Sequence, residues 1–311
     1  MKVALAVPTL NAAAYLDRFL AGVDAQTLDV SRFVVFDSSS TDGTAERLRA
    51  HGADVTVIRR DEFDHGGTRQ SMVEYCGDVD VIIFMTQDAV CADRESFTRL
   101  LARFDDREVG AVCGRQLARE GASAVERHAR LFNYPPVSSA HSRQDVARLG
   151  IRAAFLSNSF AAYRASALRA VGGFPTGNIM NEDMYVAARL LMADYLVAYA
   201  ADAQVYHSHP YGIGEEFRRY FDIGVFFARN SWLFETFGTP SGEGRRFVAA
   251  ELRWLARVRP TAIPAATLRN AAKLIGVNLG RRERLLPLPL KRRLSAQPEY
   301  WRSSGVLSAL T

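Results

Sequence analysis

The sequence predicts an α/β fold built on a mostly parallel central sheet flanked by helices, with a helical extension toward its C-terminal end. Three observations carry this. Short β-branched runs alternate with amphipathic stretches of helical length through the first part of the chain, the pattern of parallel strands joined by crossover helices. Two apolar runs end in acids, VVFDSSSTDGT at Val34 to Thr44 and VIIFMTQDAV at Val81 to Val90, and Asn181-Glu182-Asp183 follows some ninety residues on. The charge then changes sign: residues 241–311 hold fourteen Lys/Arg against four Asp/Glu, which is +10, leaving −5 on the first 240 residues of a chain whose net charge is +5.

Taken in order, Val3 to Val7 is the first strand. The start MKVALAVPTLN has one lysine and an apolar stretch too short for a signal peptide, with no small-residue cleavage site. Phe33 to Phe36, Val55 to Ile58 and Val81 to Met85 are further strands, and a helix begins near Thr44. Such sheets take ligands outside the carboxyl ends of their strands, where the acidic motifs fall. No GxGxxG follows the first strand and no GxxxxGK[ST] occurs, so a nucleotide would be held in another way. Phe155 to Tyr163 and Tyr195 to Tyr206 read as later strands, with the Gly172-Gly173-Phe174-Pro175 turn and a helix starting near Asp183 between them. Tyr134 to Gly150, rich in Pro, Ser, His and Arg, has no clear periodicity and reads as a mobile loop beside the site or as a plain surface connection. Beyond Gly214 the chain turns helical, and Glu215 to Trp232 spaces Phe217, Tyr220, Phe221, Phe226 and Phe227 as a packing face.

At 311 residues, 48% apolar and 23% charged, the chain builds one large core or two modest ones. Cys76, Cys91 and Cys113 show neither CxxC nor Cys/His zinc spacing, which fits a reducing cytoplasm. No uninterrupted apolar run approaches the roughly 20 residues that span a bilayer. The basic tail has two readings, a membrane-surface element drawn to anionic lipid or a solvated helical pair packed on the body. It does not suggest nucleic acid, because no recognition motif accompanies the charge.

The strand-end residues suit distinct tasks. A carboxylate fixed at Asp37 accepts the imide N–H of uracil or thymine, yet DSSSTDGT is also a good helix start in which Asp37 and Asp42 would be caps. In HGGTR, His65 to Arg69, the glycines permit close backbone approach and the arginine presents a planar fork to a base carbonyl or a phosphate. Asp88 is an oxygen ligand for a divalent cation. His207 and His209 flank Ser208 and share a face if the backbone is extended. Glu182 and Asp183 open a helix, where their charge also suits the dipole.

VPTLN at Val7 to Asn11, DSSSTDGT, the strand-terminal Asp88, GGF at Gly172 to Phe174 and the Glu182-Asp183 pair, in that order, resemble the family-2 inverting glycosyltransferases of the GT-A fold. FDHGGTR at Phe63 to Arg69, TQDA at Thr86 to Ala89, GRQ at Gly114 to Gln116, SNSFAAYR at Ser157 to Arg164, and HSHPY followed by FRRYFDIGVF more narrowly resemble bacterial rhamnosyltransferases, over roughly Lys2 to Ala228. The resemblance implies a GT-A domain over 1–235, with a nucleotide-sugar half at 1–115 and an acceptor half at 116–235, then a basic helical extension at 236–311. It implies inverting transfer of L-rhamnose from dTDP-β-L-rhamnose to a lipid-linked glycan at the inner face of the cytoplasmic membrane. A UDP-hexose donor is the alternative, and a non-catalytic sugar-nucleotide-binding module is the rival reading. Asp183 would be the general base, supported by Glu182. The nucleotide sugar would fall to Pro8, Thr9, Asn11, Asp37, Ser39, Arg69, Gln87 and Asp88, and the acceptor to Ser157, Asn158, Arg164 and His209. Asp88 and His207 would hold Mg²⁺ or Mn²⁺. Many members carry two acids at this strand end where TQDA has one, which remains compatible with Mg²⁺ because that ion keeps several waters and phosphate oxygens.

Overall fold

The computed structural model describes residues 1–238 and 242–302. Among these residues nine strands form one sheet: β1 (Val3–Thr9), β2 (Arg32–Asp37), β3 (Asp54–Val57), β4 (Val81–Met85), β5 (Val90–Cys91), β6 (Val109–Leu117), β7 (Ser139–His141), β8 (Phe160–Arg164) and β9 (Leu196–Tyr206). Their order is β3-β2-β1-β4-β8-β6-β9-β5, with β7 also on β9. β3, β2, β1 and β4 are parallel, β8 runs antiparallel between β4 and β6, and β6 and β9 pair in parallel over the longest ladder.

Helices α1 (Ala13–Asp24), α2 (Thr44–Ala50), α3 (His65–Cys76) and α4 (Ser96–Leu101) belong to the first half, and α5 (Ala124–Asn133), α6 (Val146–Leu149), α7 (Ala165–Ala170) and α8 (Glu182–Met192) to the second. α9 (Ile213–Arg229), α10 (Trp232–Phe237), α11 (Glu243–Val258), α12 (Ile263–Gly280) and α13 (Leu288–Leu294) follow. Both faces of the sheet are covered, which is why β4 reads as an unbroken apolar run. Ile82 and Phe84 join Tyr163, Phe174 and Val186 on one face. Ile83 and Met85 join Leu16, Phe97 and Phe160 on the other.

The expected fold is the one found, with differences of detail: β6 was not among the expected strands, and the strand expected over Phe155 to Tyr163 begins only at Phe160. Tyr134 to Gly150 is not a loop throughout: β7 pairs antiparallel with β9 and α6 follows. A three-residue edge strand is too short to show alternation. The helix expected over Glu215 to Trp232 is two helices, because α9 ends at Arg229 and the Asn230 side chain turns back to donate to the Phe226 carbonyl at 2.9 Å. The glycines of HGGTR serve packing. A Cβ on Gly66 would stand 1.7 Å from the Pro175 carbonyl oxygen, so the start of α3 lies hard against the GGFP turn.

The C-terminal part returns onto the body. Glu283 is buried, 3.1 Å from Arg229 and in contact with Lys291. Both cations sit over the buried Trp301 ring, at 5.1 and 5.2 Å from its centre. Residues 239–241 and 303–311 of the expected extension lie outside the described residues. Among the described residues, no helix is long and apolar enough to cross a membrane.

Candidate active site

The carboxyl ends of β1 and β4 border a cleft of about 1660 Å³, lined on one side by Pro8, Thr9, Arg69 and Gln87 and on the other by Gln297 and Trp301. Asp37, at the end of β2, does not face it. Its carboxylate is fully buried and accepts from the Thr9 hydroxyl at 2.8 Å and from the Ser40 amide and hydroxyl at 2.8 and 2.6 Å. The expected base contact by Asp37 is therefore not displayed, since these donors turn the carboxylate into the β1–β2 loops. Nor does Asp37 cap α2. Gly43 is the N-cap of α2, and Asp42 just ahead of it accepts from the Thr44 amide and ties in the Ala13 amide of α1. Asn11 and Ser39 hold left-handed backbone, at φ 47° and 56°. Asn11 accepts from the Thr41 amide, and Ser39 donates to the Ile58 carbonyl. Gln87 clamps Leu10 through both its amide groups, at 2.7 and 3.0 Å, so β4 fixes the loop after β1.

Beyond Gln87, Asp88 meets two imidazoles delivered by the chain leaving β9. His207 Nε2 lies 3.4 Å from one carboxylate oxygen, and His209 Nε2 lies 3.5 Å from the other. The three ligand atoms fall within 4.8 Å of one another. His209, expected on the acceptor side, thus belongs with Asp88. Arg119 donates to Asp88 Oδ2 at 2.9 Å and to its backbone carbonyl at 2.5 Å. Burial raises the Asp88 pKa, but the His207 hydrogen bond and charge, with His209 and Thr86, outweigh it and hold the group well below the usual carboxylate range. Burial lowers both imidazoles, His209 to about 4.

This donor set fits a divalent cation. His207 Nδ1 lies 2.8 Å from Gln116 Oε1. That oxygen only accepts, so Nδ1 keeps a proton there, and Nε2, which bonds Asp88 while it is protonated, is the nitrogen that a cation would take on loss of that proton. One carboxylate and two imidazoles in their neutral form offer the oxygen and nitrogen ligands that a divalent cation takes.

Asp183 opens α8. Its carboxylate accepts from the Asn158 amide at 3.1 Å and the Met184 amide at 2.8 Å while keeping part of its surface open. Next to it, Glu182 is buried, ion-paired with Arg69 at 3.1 Å and bonded by the Asn158 side chain at 2.9 Å. Tyr163 donates to Asn158 Oδ1 at 2.6 Å and fixes that side-chain amide. Burial first, and then the Glu182 charge, push Asp183 up to about 7. Burial opposes ionisation of Glu182 as well, but Arg69, His65 and Asn158 outweigh it and lower that group. Two adjacent carboxylates are thereby driven apart, one held as an anion and one poised near neutrality, the arrangement that separates acid–base roles.

Gln116 joins the two clusters. Its amide nitrogen donates to Ser157 at 2.9 Å, while its oxygen contacts His207 and accepts from Arg130 at 2.7 Å. Because Met85 pairs with Phe160, Asp88 and Asn158 flank the same end of adjacent strands, and the carboxylates of residues 88 and 183 share one edge of the sheet. Arg69 lines the cleft, and its Nη1 is ion-paired with Glu182 and donates to the His65 carbonyl. Arg164 is not at the site. It lies opposite Val81 at the far end of β8 and donates to the carbonyls of Val109, Phe104 and Asp106. Arg119, Gln116 and Trp301 were missed by sequence reasoning. Of these, only Gln116 stands in a motif, GRQ.

The family model described as Glycosyl transferase family 2 matches residues 4–172. Over 298 residues the chain is 43% identical to the O-antigen chain rhamnosyltransferase WbaN of Salmonella anatum, covering 96% of this chain and 95% of that protein. It is also 43% identical over 303 residues to the O-antigen chain rhamnosyltransferase RfbN of Salmonella typhimurium, covering 97% and 96%. The fold is shared with the mannosyltransferase PcManGT from Pyrobaculum calidifontis, solved with GDP-Man and Mn²⁺, at a TM-score of 0.56, 19% identity, and coverage of 98% of this chain and 86% of that one. S. aureus TarS 1-349 with UDP-GlcNAc gives 0.52 at 14% identity, covering 91% of each chain. The matched family and the extent of both relatives settle membership: the chain belongs to glycosyl transferase family 2 and is a glycosyltransferase of the GT-A fold.

Proposed function

We propose that the protein transfers L-rhamnose from dTDP-β-L-rhamnose to a hydroxyl of a lipid-linked glycan, with inversion, in O-antigen-type polysaccharide synthesis at the inner face of the cytoplasmic membrane. The observation that carries the chemistry is the poised Asp183 beside an ionised Glu182, linked through Asn158, Ser157 and Gln116 to the Asp88–His207–His209 cluster. The sugar rests on the motif order and on the names of the two relatives.

In this reading Asp183 takes the proton of the acceptor hydroxyl as the anomeric bond forms. Glu182, Asn158 and Arg69 hold it in position. Pro8, Thr9 and Gln87 line the nucleotide side of the cleft, while Asp37, Asn11 and Ser39 shape the loops behind it. Asp88, His207 and His209 would hold Mn²⁺ or Mg²⁺, and that ion supplies charge stabilisation to the leaving diphosphate. The basic extension would meet the anionic membrane that carries the acceptor.

Asp183→Asn tests the base. Transfer falls by about 10²-fold or more while calorimetric binding of dTDP persists. Unchanged turnover removes Asp183 from the mechanism. Turnover of a UDP-hexose with none of dTDP-rhamnose would retire the sugar and leave the base assignment standing.

A further inference from the structure

α12 is packed inside out. Its buried positions are Ala266, Gly276 and Gly280, while Leu268, Leu274 and Ile275 are 58%, 63% and 58% exposed. An ordinary surface helix does the reverse. The glycines account for the inner side. A Cβ on Gly280 would stand 2.0 Å from the Phe221 carbonyl oxygen, one on Gly276 2.5 Å from that of Phe217, and one on the facing Gly224 2.3 Å from that of Val277. α12 and α9 therefore meet backbone to backbone, as small-residue helix pairs do in lipid, and no space remains there for large side chains.

The outer side is one stripe. Pro264, Leu268, Ala271 and Ile275 recur at helical spacing, flanked by Thr267, Leu274 and Asn278. No acid occurs from Ile263 to Gly280. The two cations of the helix lie off the stripe, Arg269 half-buried and Lys273 3.3 Å from Glu216. Cations instead bracket the stripe: Arg257 and Arg259 precede it, and Arg281, Arg282 and Arg284 follow, beside Leu285 at 80% exposure. The one acid between Ile263 and Ser295 is Glu283, buried and taken by Arg229 and Lys291.

We propose that this face of α12 seats in the interfacial layer of an anionic phospholipid membrane, its leucine and isoleucine stripe entering the headgroup–acyl boundary and the bracketing arginines meeting lipid phosphates. Charge complementarity selects lipid over a second copy of this chain, because two such faces brought together on a twofold axis set cationic ends near one another. The proposal deepens the reading of a lipid-linked acceptor, on which it rests. α9, to which α12 is locked, starts at Ile213 just beyond His209, so a face seated on lipid keeps the catalytic cleft beside the membrane.

The test is vesicle flotation of the full chain against a Leu268→Gln/Leu274→Gln/Ile275→Gln variant, all three positions exposed and outside the catalytic cluster. With phosphatidylglycerol-containing vesicles the wild-type protein floats, and part of that binding survives high salt, since apolar insertion is not screened as surface charge is. The triple variant partitions about tenfold or more less at either salt, and vesicles of phosphatidylcholine alone recruit neither protein well. Transfer to a short lipid-free acceptor is equal in both proteins, which shows the variant folded. Equal flotation of wild type and variant overturns the proposal, and so does no flotation of either. A wild-type dimer by light scattering that the triple variant makes monomeric, with no lipid binding, also overturns it and gives the face to a second copy. Absence of transfer from both proteins, with flotation as expected, fells the catalytic reading and leaves the membrane face in place.

Discussion

A general base works only when ionised, and Asp183 is held near the middle of the accessible range by its burial and by Glu182. Transfer should therefore rise as pH climbs through about 7 and level off above it, with Asp183→Asn removing that limb; a rate flat from about pH 5 to 8 would contradict the assignment. Asp88 carries a second prediction. Arg119 occupies one carboxylate oxygen that a cation would need, so Arg119→Gln should tighten Mn²⁺ binding to the donor-free protein about fivefold by calorimetry, the scale of a partly exposed ion pair, whereas Asp88→Asn abolishes it. Looser binding by Arg119→Gln would mean that the arginine shapes the site rather than competes for it. Asp88, Asp183 and His207 were legible because each ends or begins an element at the sheet's ligand edge. Arg119 was not, because an arginine just past a strand carries no pattern. Asp37 was legible as a strand-end acid, but its direction depends on the Thr9 and Ser40 hydroxyls, and that orientation is tertiary.

Among the elements, α9 is the one on which the second half of the chain turns. It leaves the histidine cluster, supports α12, and through Asp222 holds the segment after α13. Asp222 is fully buried and accepts from the Ala296 amide at 2.8 Å. Burial pushes it up to about 7 despite Ser295 and the amides that favour its anion. A raised carboxyl binds its proton in the folded state where the unfolded chain has already released it. Its contribution to stability is therefore complete below about pH 4 and is lost as pH rises through about 7, a span worth up to about 4 kcal/mol. Asp222→Asn mimics the protonated form, so it should match the wild-type Tm below about pH 4 and exceed it at pH 8. Equal Tm values at both pH values would show that Asp222 titrates normally. The element order around it was largely readable: β-branched runs gave β1 to β4, and aromatic spacing gave α9. β5 and β7 are two and three residues long and left no signal. The close α9–α12 crossing depends on Gly224 meeting Gly280, a pairing of distant glycines that local periodicity does not register.

At the scale of the whole molecule, the C-terminal part closes a wall of the cleft at the ends of β1 and β4, so in the proposed reading its packing and donor binding are coupled. Trp301 is the pivot. It is almost completely buried, lies 6.5 Å from the Phe221 ring, and is faced by Arg229 and Lys291, whose charges Glu283 balances. Removing the indole leaves a void among aromatic rings and takes the π-face from two half-buried cations, which together should cost about 3–5 kcal/mol. The same step loosens Gln297, which lines the cleft and contacts His65 at 3.1 Å. Trp301→Ala should therefore lower the Tm and also weaken dTDP binding, by about tenfold if roughly 1.4 kcal/mol of the wall's order is lost to the ligand. Asp183→Asn, by contrast, leaves dTDP affinity in place, so the two variants separate a wall from a base. Calorimetric titration below the variant's own Tm decides the point: unchanged affinity in Trp301→Ala, with only the Tm reduced, would make the C-terminal segment a brace for α9 and confine donor recognition to β1, β4 and their loops.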